Sequence, residues 1–243
     1  MLKQTKDKYD LGKQMYLQDN LSLTQISKQL KIHRGRFADY LRQQNISITN
    51  KHNTSNIYSD IFEKIDSEEK AYWLGFLYAD GCVSLNTNHI ELALATCDSK
   101  HIEKFGKFLN FQGSIQSDSI RTRISFRNKV MHNDLIKLGC IPQKSMKMSF
   151  PNYNQVPQSL MIHFVRGYID GDGYIGIHCH GFGRIGITCG SKEFVLDLIN
   201  EMNWRMKPIT KDKRSNALNC EWGGYYVTDM LRSLYEDASV YLD

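Results

Sequence analysis

Residues Ala71 to Gly81 read AYWLGFLYADG, and the chain writes the same pattern again at Phe164 to Gly173, FVRGYIDGDG. In each copy a glycine is followed four residues later by a small residue, Ala79 or Gly171, and then by Asp-Gly. Residues four apart share one face of a helix. Gly75 with Ala79, and Gly167 with Gly171, therefore make two bare helix faces able to approach each other closely. Each copy then sets a carboxylate, Asp80 or Asp172, where its helix closes. The helix dipole is negative at that end, so an acid there costs about 0.3–1 kcal/mol. If the helices pack side by side the two acids also repel, by about 3 kcal/mol at roughly 5 Å and an effective dielectric near 20. An arrangement made twice points to a cation that offsets both terms. The competing account is a capping or salt-bridged role for each acid.

The 243 residues suffice for a sizeable core and one to three domains. With 41% hydrophobic and 23% charged residues, a largely disordered chain is excluded. A net charge of +5 and a pI near 8.8 suit a polyanionic partner without demanding one. No apolar run approaches the roughly 18 residues that span a membrane, and the polar, lysine-rich first ten residues do not read as a signal peptide. No membrane partner and a cytoplasmic location are expected. The six cysteines include no CxxC pair and read as reduced thiols. His178-Cys179-His180 offers two histidines on one strand face, short of the four ligands usual for zinc. Asp170-Gly171-Asp172-Gly173 lacks the further acids of a calcium loop, and Gly181, Gly183 and Gly186 lack the strand-to-helix step of a nucleotide fingerprint.

Residues 7 to 46 read as helices with apolar stripes at Leu23, Ile26 and Leu30 and at Phe37, Tyr40 and Leu41, joined by a short break at Lys31 to His33. Ser22 or Thr24 is positioned as a cap. This stretch resembles a helix-turn-helix in which Ser27 is the small mid-helix residue and Lys31 stands in place of the turn glycine. The resemblance implies that His33, Arg34 and Arg36 enter the major groove; a small helical bundle without a ligand is the alternative. Asn45 to Asp60 is polar and weakly periodic, a linker. The expected domains are a helix-turn-helix unit over 1–46, a linker over 47–60, and two repeated units over 61–150 and 151–243.

Ser67 with Glu68 and Glu69 predicts a helix start, and Gly81 a left-handed helix end. Strands are expected at Cys82 to Leu85, Ile90 to Thr96, Phe111 to Ile115 and Ile120 to Phe126. Helices are expected at Ser99 to Leu109, capped by Asp98, and at Val130 to Leu138. Thr96-Cys97-x-Ser99-Lys100 recurs as Thr188-Cys189-x-Ser191-Lys192 at the offset of 92 that separates Asp80 from Asp172. The two landmarks argue for a duplicated unit of helix, two strands, helix, two strands, helix.

Trp73 to Gly81 and Val165 to Gly173 resemble the two signature helices of the LAGLIDADG homing endonucleases, in their single-chain form with two halves. The resemblance covers roughly residues 61–243. It implies an α+β fold of two pseudo-symmetric αββαββα halves forming a DNA-binding saddle, joined at the signature helices, beside the small all-α helix-turn-helix domain. By position it implies that Asp80 and Asp172 bind metal, assisted by the carbonyls of Ala79 and Gly171, and that Lys144 in LGCIPQKS acts near the cleaved phosphate. Tyr78 departs from the pattern that Asp170 keeps, outside the catalytic position, with little effect expected. The chain ends about where a second lysine is implied, so either the site is asymmetric, with Lys144 alone, or the chain is shortened.

The implied activity is magnesium-dependent hydrolysis of both strands of a duplex with a long target site, by a monomer, with manganese as a possible substitute. The resemblance also implies a staggered cut leaving 3′ overhangs. Expected DNA contacts are Arg121, Arg123 and Arg127 on one strand face, Lys211, Lys213 and Arg214 in a hairpin loop, and His178 and His180 on a strand. Two alternatives stand beside this reading: a non-cleaving regulator pairing a helix-turn-helix with the same fold, and an RNA-binding intron maturase.

Overall fold

A computed structural model describes residues 3–18, 21–46, 48, 57–142, 147–178, 181–212 and 217–242. The chain divides into two compact units, Met1–Thr54 and Ser55–Asp243. The division falls inside the polar stretch 45–60.

The first unit holds α1 (Lys3–Leu17), α2 (Leu23–Leu30) and α3 (Arg34–Gln43) around Tyr9, Met15, Tyr16, Ile26, Phe37 and Leu41. Ser22 caps α2 in a reciprocal box: its hydroxyl accepts from the Gln25 N–H while the Gln25 side chain accepts from the Ser22 N–H. Lys31 ends α2 in the left-handed conformation, φ 51° and ψ 50°. A glycine would take this turn position without strain.

The second unit opens on α4 (Glu68–Ala79), whose cap Ser67 accepts from the Lys70 N–H. Ala71 through Tyr78 are all buried, so α4 is apolar on every side and sits at the centre of the core. There follow β1 (Gly81–Val83), β2 (His89–Ala95), α5 (Ser99–Phe108), β3 (Gln116–Ser117), β4 (Arg121–Arg127) and α6 (Lys129–Lys137). The order then recurs as α7 (Met161–Asp172), β5 (Gly173–Ile177), β6 (Gly183–Cys189), α8 (Lys192–Glu201), β7 (Thr210–Lys211), β8 (Leu218–Gly223) and α9 (Tyr226–Tyr235). Each half builds an antiparallel four-stranded sheet, ordered β1-β2-β4-β3 and β5-β6-β8-β7. One face of each sheet packs on helices through residues such as Ile90, Leu92, Ile124 and Phe126, or Ile185, Ile187, Cys220 and Trp222. The other face is open.

Four local expectations are corrected. Gly81 is not left-handed: it is the first residue of β1, so the chain passes from helix to strand without a loop. A side chain there would stand 2.6 Å from the Leu77 carbonyl oxygen, which explains the glycine by close approach, and Gly173 repeats the situation against Ile169. The third strand forms at Gln116–Ser117, not Phe111 to Ile115, because Phe111 turns into the core beside Phe126. Asp98 stands at the start of α5 but makes no capping bond through its side chain. Finally, the two Thr-Cys pairs are not equivalent. Thr96 and Cys97 lie in a 3-10 turn, whereas Thr188 and Cys189 end β6. Gly81 pairs with Leu92 and Gly173 with Ile187, so the second hairpin is three residues longer. The three-residue turn Thr96–Asp98, which the second half lacks, restores the spacing before the next helix.

Candidate catalytic centre and nucleic-acid interface

The two signature helices meet backbone to backbone. A side chain on Gly75 would stand 2.0 Å from the Phe164 carbonyl oxygen, and one on Gly167 would stand 2.0 Å from that of Tyr72. Gly171 faces Ala79 in the same way, with the added carbon 2.3 Å from the Ala79 Cβ. All four expected interface residues, Gly75, Ala79, Gly167 and Gly171, therefore lie at the contact. Partners ascend together along both helices, from Tyr72 and Gly167 to Ala79 and Gly171, so α4 and α7 run parallel and close side by side. This puts Asp80 and Asp172 at one end of the pair: an Asp80 carboxylate oxygen lies 3.2 Å from where a Gly171 side chain would begin. Both acids are half-buried.

The surroundings of Asp172 form a cleft of about 190 Å³, lined by Tyr78, Met148, Tyr168, Thr188 and Cys189 among others. Burial, then the Cys189 thiol and the Asp172 carboxylate, push the Tyr168 hydroxyl well above its ordinary range, so it stays protonated. Burial likewise pushes the Cys189 thiol up. Among the described residues no group of three or more His, Cys, Asp or Glu gathers in one place. The donors expected at the helix ends, the carboxylates of Asp80 and Asp172 and the carbonyls of Ala79 and Gly171, are hard oxygens, with the Cys189 thiol in the cleft beside Asp172. Lys144 lies outside the described residues.

Asp170 and Tyr78 hold equivalent places in the two copies and do different structural work. Asp170 accepts from the hydroxyls of Tyr72 and Tyr235 and from the Leu242 N–H. Tyr78 is fully buried and donates to the Leu138 carbonyl. Next to Asp170, the buried Arg166 donates to Glu68 and to the Leu234 and Val240 carbonyls. These bonds tie the start of α4, α7 and the end of the chain together.

The open face of the first sheet carries Arg121, Arg123 and Arg127 in one row, opposite Ala95, Ala93 and His89. Arg123 is braced: its Nε donates to Gln116 at 2.9 Å, and Glu91 lies 3.9 Å from its NH1. In the second sheet the expected residues fare differently. His178 lies past the end of β5, not on a strand, and its N–H closes the hairpin onto the Phe182 carbonyl at 2.7 Å. Lys211 pairs with Leu218 and alternates with Thr210, which puts it on the helix-packed side of the sheet at its edge, not on the open face. His180, Lys213 and Arg214 fall outside the described residues. The open face is instead made by Tyr174, Arg184, Thr188, Asn219 and Glu221, none of which was expected to contact DNA. The signal was present in GRIGITC: Ile185, Ile187 and Cys189 alternate as core, so Arg184 and Thr188 must face the other way. In the separate first unit, His33 caps α3 by accepting from the Arg36 N–H, and Arg34 and Arg36 are exposed in its first turn.

No protein-family model matches the chain. The architecture of two antiparallel sheets on a pair of central helices is that of the LAGLIDADG meganucleases. A K262A mutant of I-SmaMI superposes with a TM-score of 0.52 at 12% identity, over 70% of this chain and 85% of that one. Two DNA-bound structures score lower. The LAGLIDADG meganuclease I-AabMI gives 0.47 at 12% identity over 70% of this chain and 83% of that one. The LAGLIDADG homing endonuclease I-LtrWI gives 0.46 at 14% over 73% and 86%. A sequence relative is the probable translation initiation factor IF-2 of Methanocaldococcus jannaschii, 26% identical over 190 residues, 74% of this chain. The chain spans only 14% of that protein's length.

Proposed function

We propose that the chain is a divalent-metal-dependent endonuclease that hydrolyses both strands of duplex DNA at a long site. The observation that carries this is the parallel, glycine-seated contact of α4 with α7, which sets Asp80 and Asp172 at one helix-pair end, each running directly into the edge strand of its sheet. Two acids at the negative ends of two helix dipoles form a strongly cation-seeking site. Their oxygen donors, together with the neighbouring carbonyls of Ala79 and Gly171, suit magnesium, which takes few protein carboxylates and keeps positions for water and phosphate. Manganese meets the same donor set. Such an ion supplies polarisation of the phosphoryl group and lowers the pKa of a bound water.

The chain's own residues have separate tasks. Asp80 and Asp172 bind and hold the centre on the pseudo-dyad, one strand on each side. Lys144, by its place after the first half's last helix, is the candidate for steadying charge on the scissile phosphate. Arg121, Arg123 and Arg127 meet the duplex through phosphates and base edges. The first unit, by its capped and turned helix pair, adds a second contact through His33, Arg34 and Arg36.

The test is incubation with a DNA library in magnesium or in chelator, scored for double-strand breaks. Asp80→Asn and Asp172→Asn are each expected to abolish cutting while leaving binding in place. Full cleavage by either variant would falsify the two-acid assignment. Binding by the wild-type protein without metal-dependent cutting would instead support the regulator.

A further inference from the structure

The strand ladders let the two halves be compared position by position. Leu92 lies between Gly81 and Ile124, and Ile187 between Gly173 and Cys220, so these two are equivalent. From there Arg123, opposite Ala93, corresponds to Asn219, opposite Thr188. Arg127, opposite His89, corresponds to Gly223, opposite Arg184. Arg121 falls at Ala217, just before β8, and Ser125 at Glu221. The arginine row of the first open face is thus an alanine, an amide and a glycine on the second, with a carboxylate added.

The one arginine the described second face does carry is engaged. Its guanidinium lies 5.6 Å from the Tyr174 ring centre, and the Tyr174 hydroxyl donates to Glu221. Tyr174 itself lies flat across Gly186, where any side chain would meet its ring. Asn219 accepts from the Thr188 hydroxyl at 2.9 Å, a neutral pair. The imbalance extends to whole halves: residues 61–150 hold twelve Lys and Arg against ten acids, and residues 151–243 hold nine against eleven.

We infer that the two halves grip a bound duplex unequally. Along the described strands of the two open faces, the first half supplies most of the ionic hold and reads guanines through Arg121, Arg123 and Arg127, and the second contributes base contacts through the neutral Asn219–Thr188 pair. This rests on the duplex-DNA reading above. Arginine pairs bidentately with guanine and also neutralises phosphate, whereas an amide can discriminate bases without releasing counterions.

The experiment is selection of binders from a 30-bp random duplex library by the full chain in chelator, followed by affinity and salt titrations on the winning duplex. Guanines among the enriched positions are expected to cluster to one side of the centre. Replacing Arg121, Arg123 and Arg127 with Ala is expected to erase that cluster, weaken binding at least ~30-fold and flatten the log–log salt slope by at least ~1. Arg184→Ala with Asn219→Ala is expected to cost less than ~5-fold and leave the slope unchanged. A second variant adds charge instead of removing it: Asn219→Arg is expected to steepen the slope by ~1. Equal losses from the two sides, guanines spread evenly over the selected site, or an unchanged slope in Asn219→Arg would overturn the inference and leave the DNA reading standing. Failure of the wild-type chain to enrich any duplex would overturn both.

Discussion

Gly75 and Gly167 show how much one hydrogen in place of a methyl can decide. Each faces a backbone carbonyl oxygen that a Cβ would approach to 2.0 Å, and backbone does not yield as a side chain tip does. Gly75→Ala or Gly167→Ala is expected to cost about 3 kcal/mol or more, since overpacking a rigid contact separates the helices; chemical denaturation of the full chain measures it. At Glu68 the balance is electrostatic. Burial raises its carboxyl, but the Ser239 N–H, Arg166 and His163 outweigh burial and hold it below the ordinary glutamate range. The unfolded chain therefore takes up this proton at higher pH than the folded one. Its contribution to stability is full above the ordinary glutamate range and is lost as pH falls through the folded value. Glu68→Gln is expected to lower stability at neutral pH and to flatten the acid limb of the stability curve, read by denaturation at stepped pH. An unaltered acid limb would remove Glu68 from the account.

At the scale of elements, the turn between α2 and α3 is closed by a residue poorly suited to it. Lys31 holds a left-handed conformation that costs a non-glycine residue about 1–2 kcal/mol. Lys31→Gly is expected to stabilise the first unit by up to about 1 kcal/mol, the relief being partly offset by the greater freedom of glycine in the unfolded chain. Slower hydrogen exchange of α2 and α3 amides in the full chain is the readout, and faster exchange counts against it. The strands show the reverse case, where alternation settles everything. Arg121, Arg123 and Arg127 share a face because they are separated by even steps, and Arg184 is turned outward by the isoleucines that follow it. The signature helices have no such periodicity, since α4 is buried all round, and their partner could be named only from the repeat.

For the whole molecule, charge is distributed by region. Residues 1–46 hold nine Lys and Arg against four acids, while residues 47–243 hold 22 of each, so the net +5 resides in residues 1–46. Deleting residues 1–46 is expected to weaken DNA binding, flatten its salt dependence and shorten the footprint, with cleavage retained. A protection assay and a salt titration check this; unchanged affinity and footprint would make the unit a bystander.

What the amino-acid order determined by itself was the duplication, the small-residue helix faces, the two terminal acids and the strand alternation in the first half. These are local patterns, readable because helix and strand periods are short and because the chain states them twice. The tertiary structure decided what local pattern does not encode. It showed that the two helices run parallel, which is what brings Asp80 beside Gly171 and sets both acids at one end of the pair instead of at opposite ends. It also separated true from apparent equivalence. The Thr-Cys pairs match in spacing only because a longer hairpin in one half is balanced by an extra turn in the other, and only hydrogen-bond register reveals that. Register likewise moved Lys211 to the packed side and brought Arg184, Tyr174 and Asn219 to the open one. At Ala71 to Gly81, the stretch foretold a helix needing a close partner and a cation; the fold supplied the partner, its direction and the glycine-seated contact.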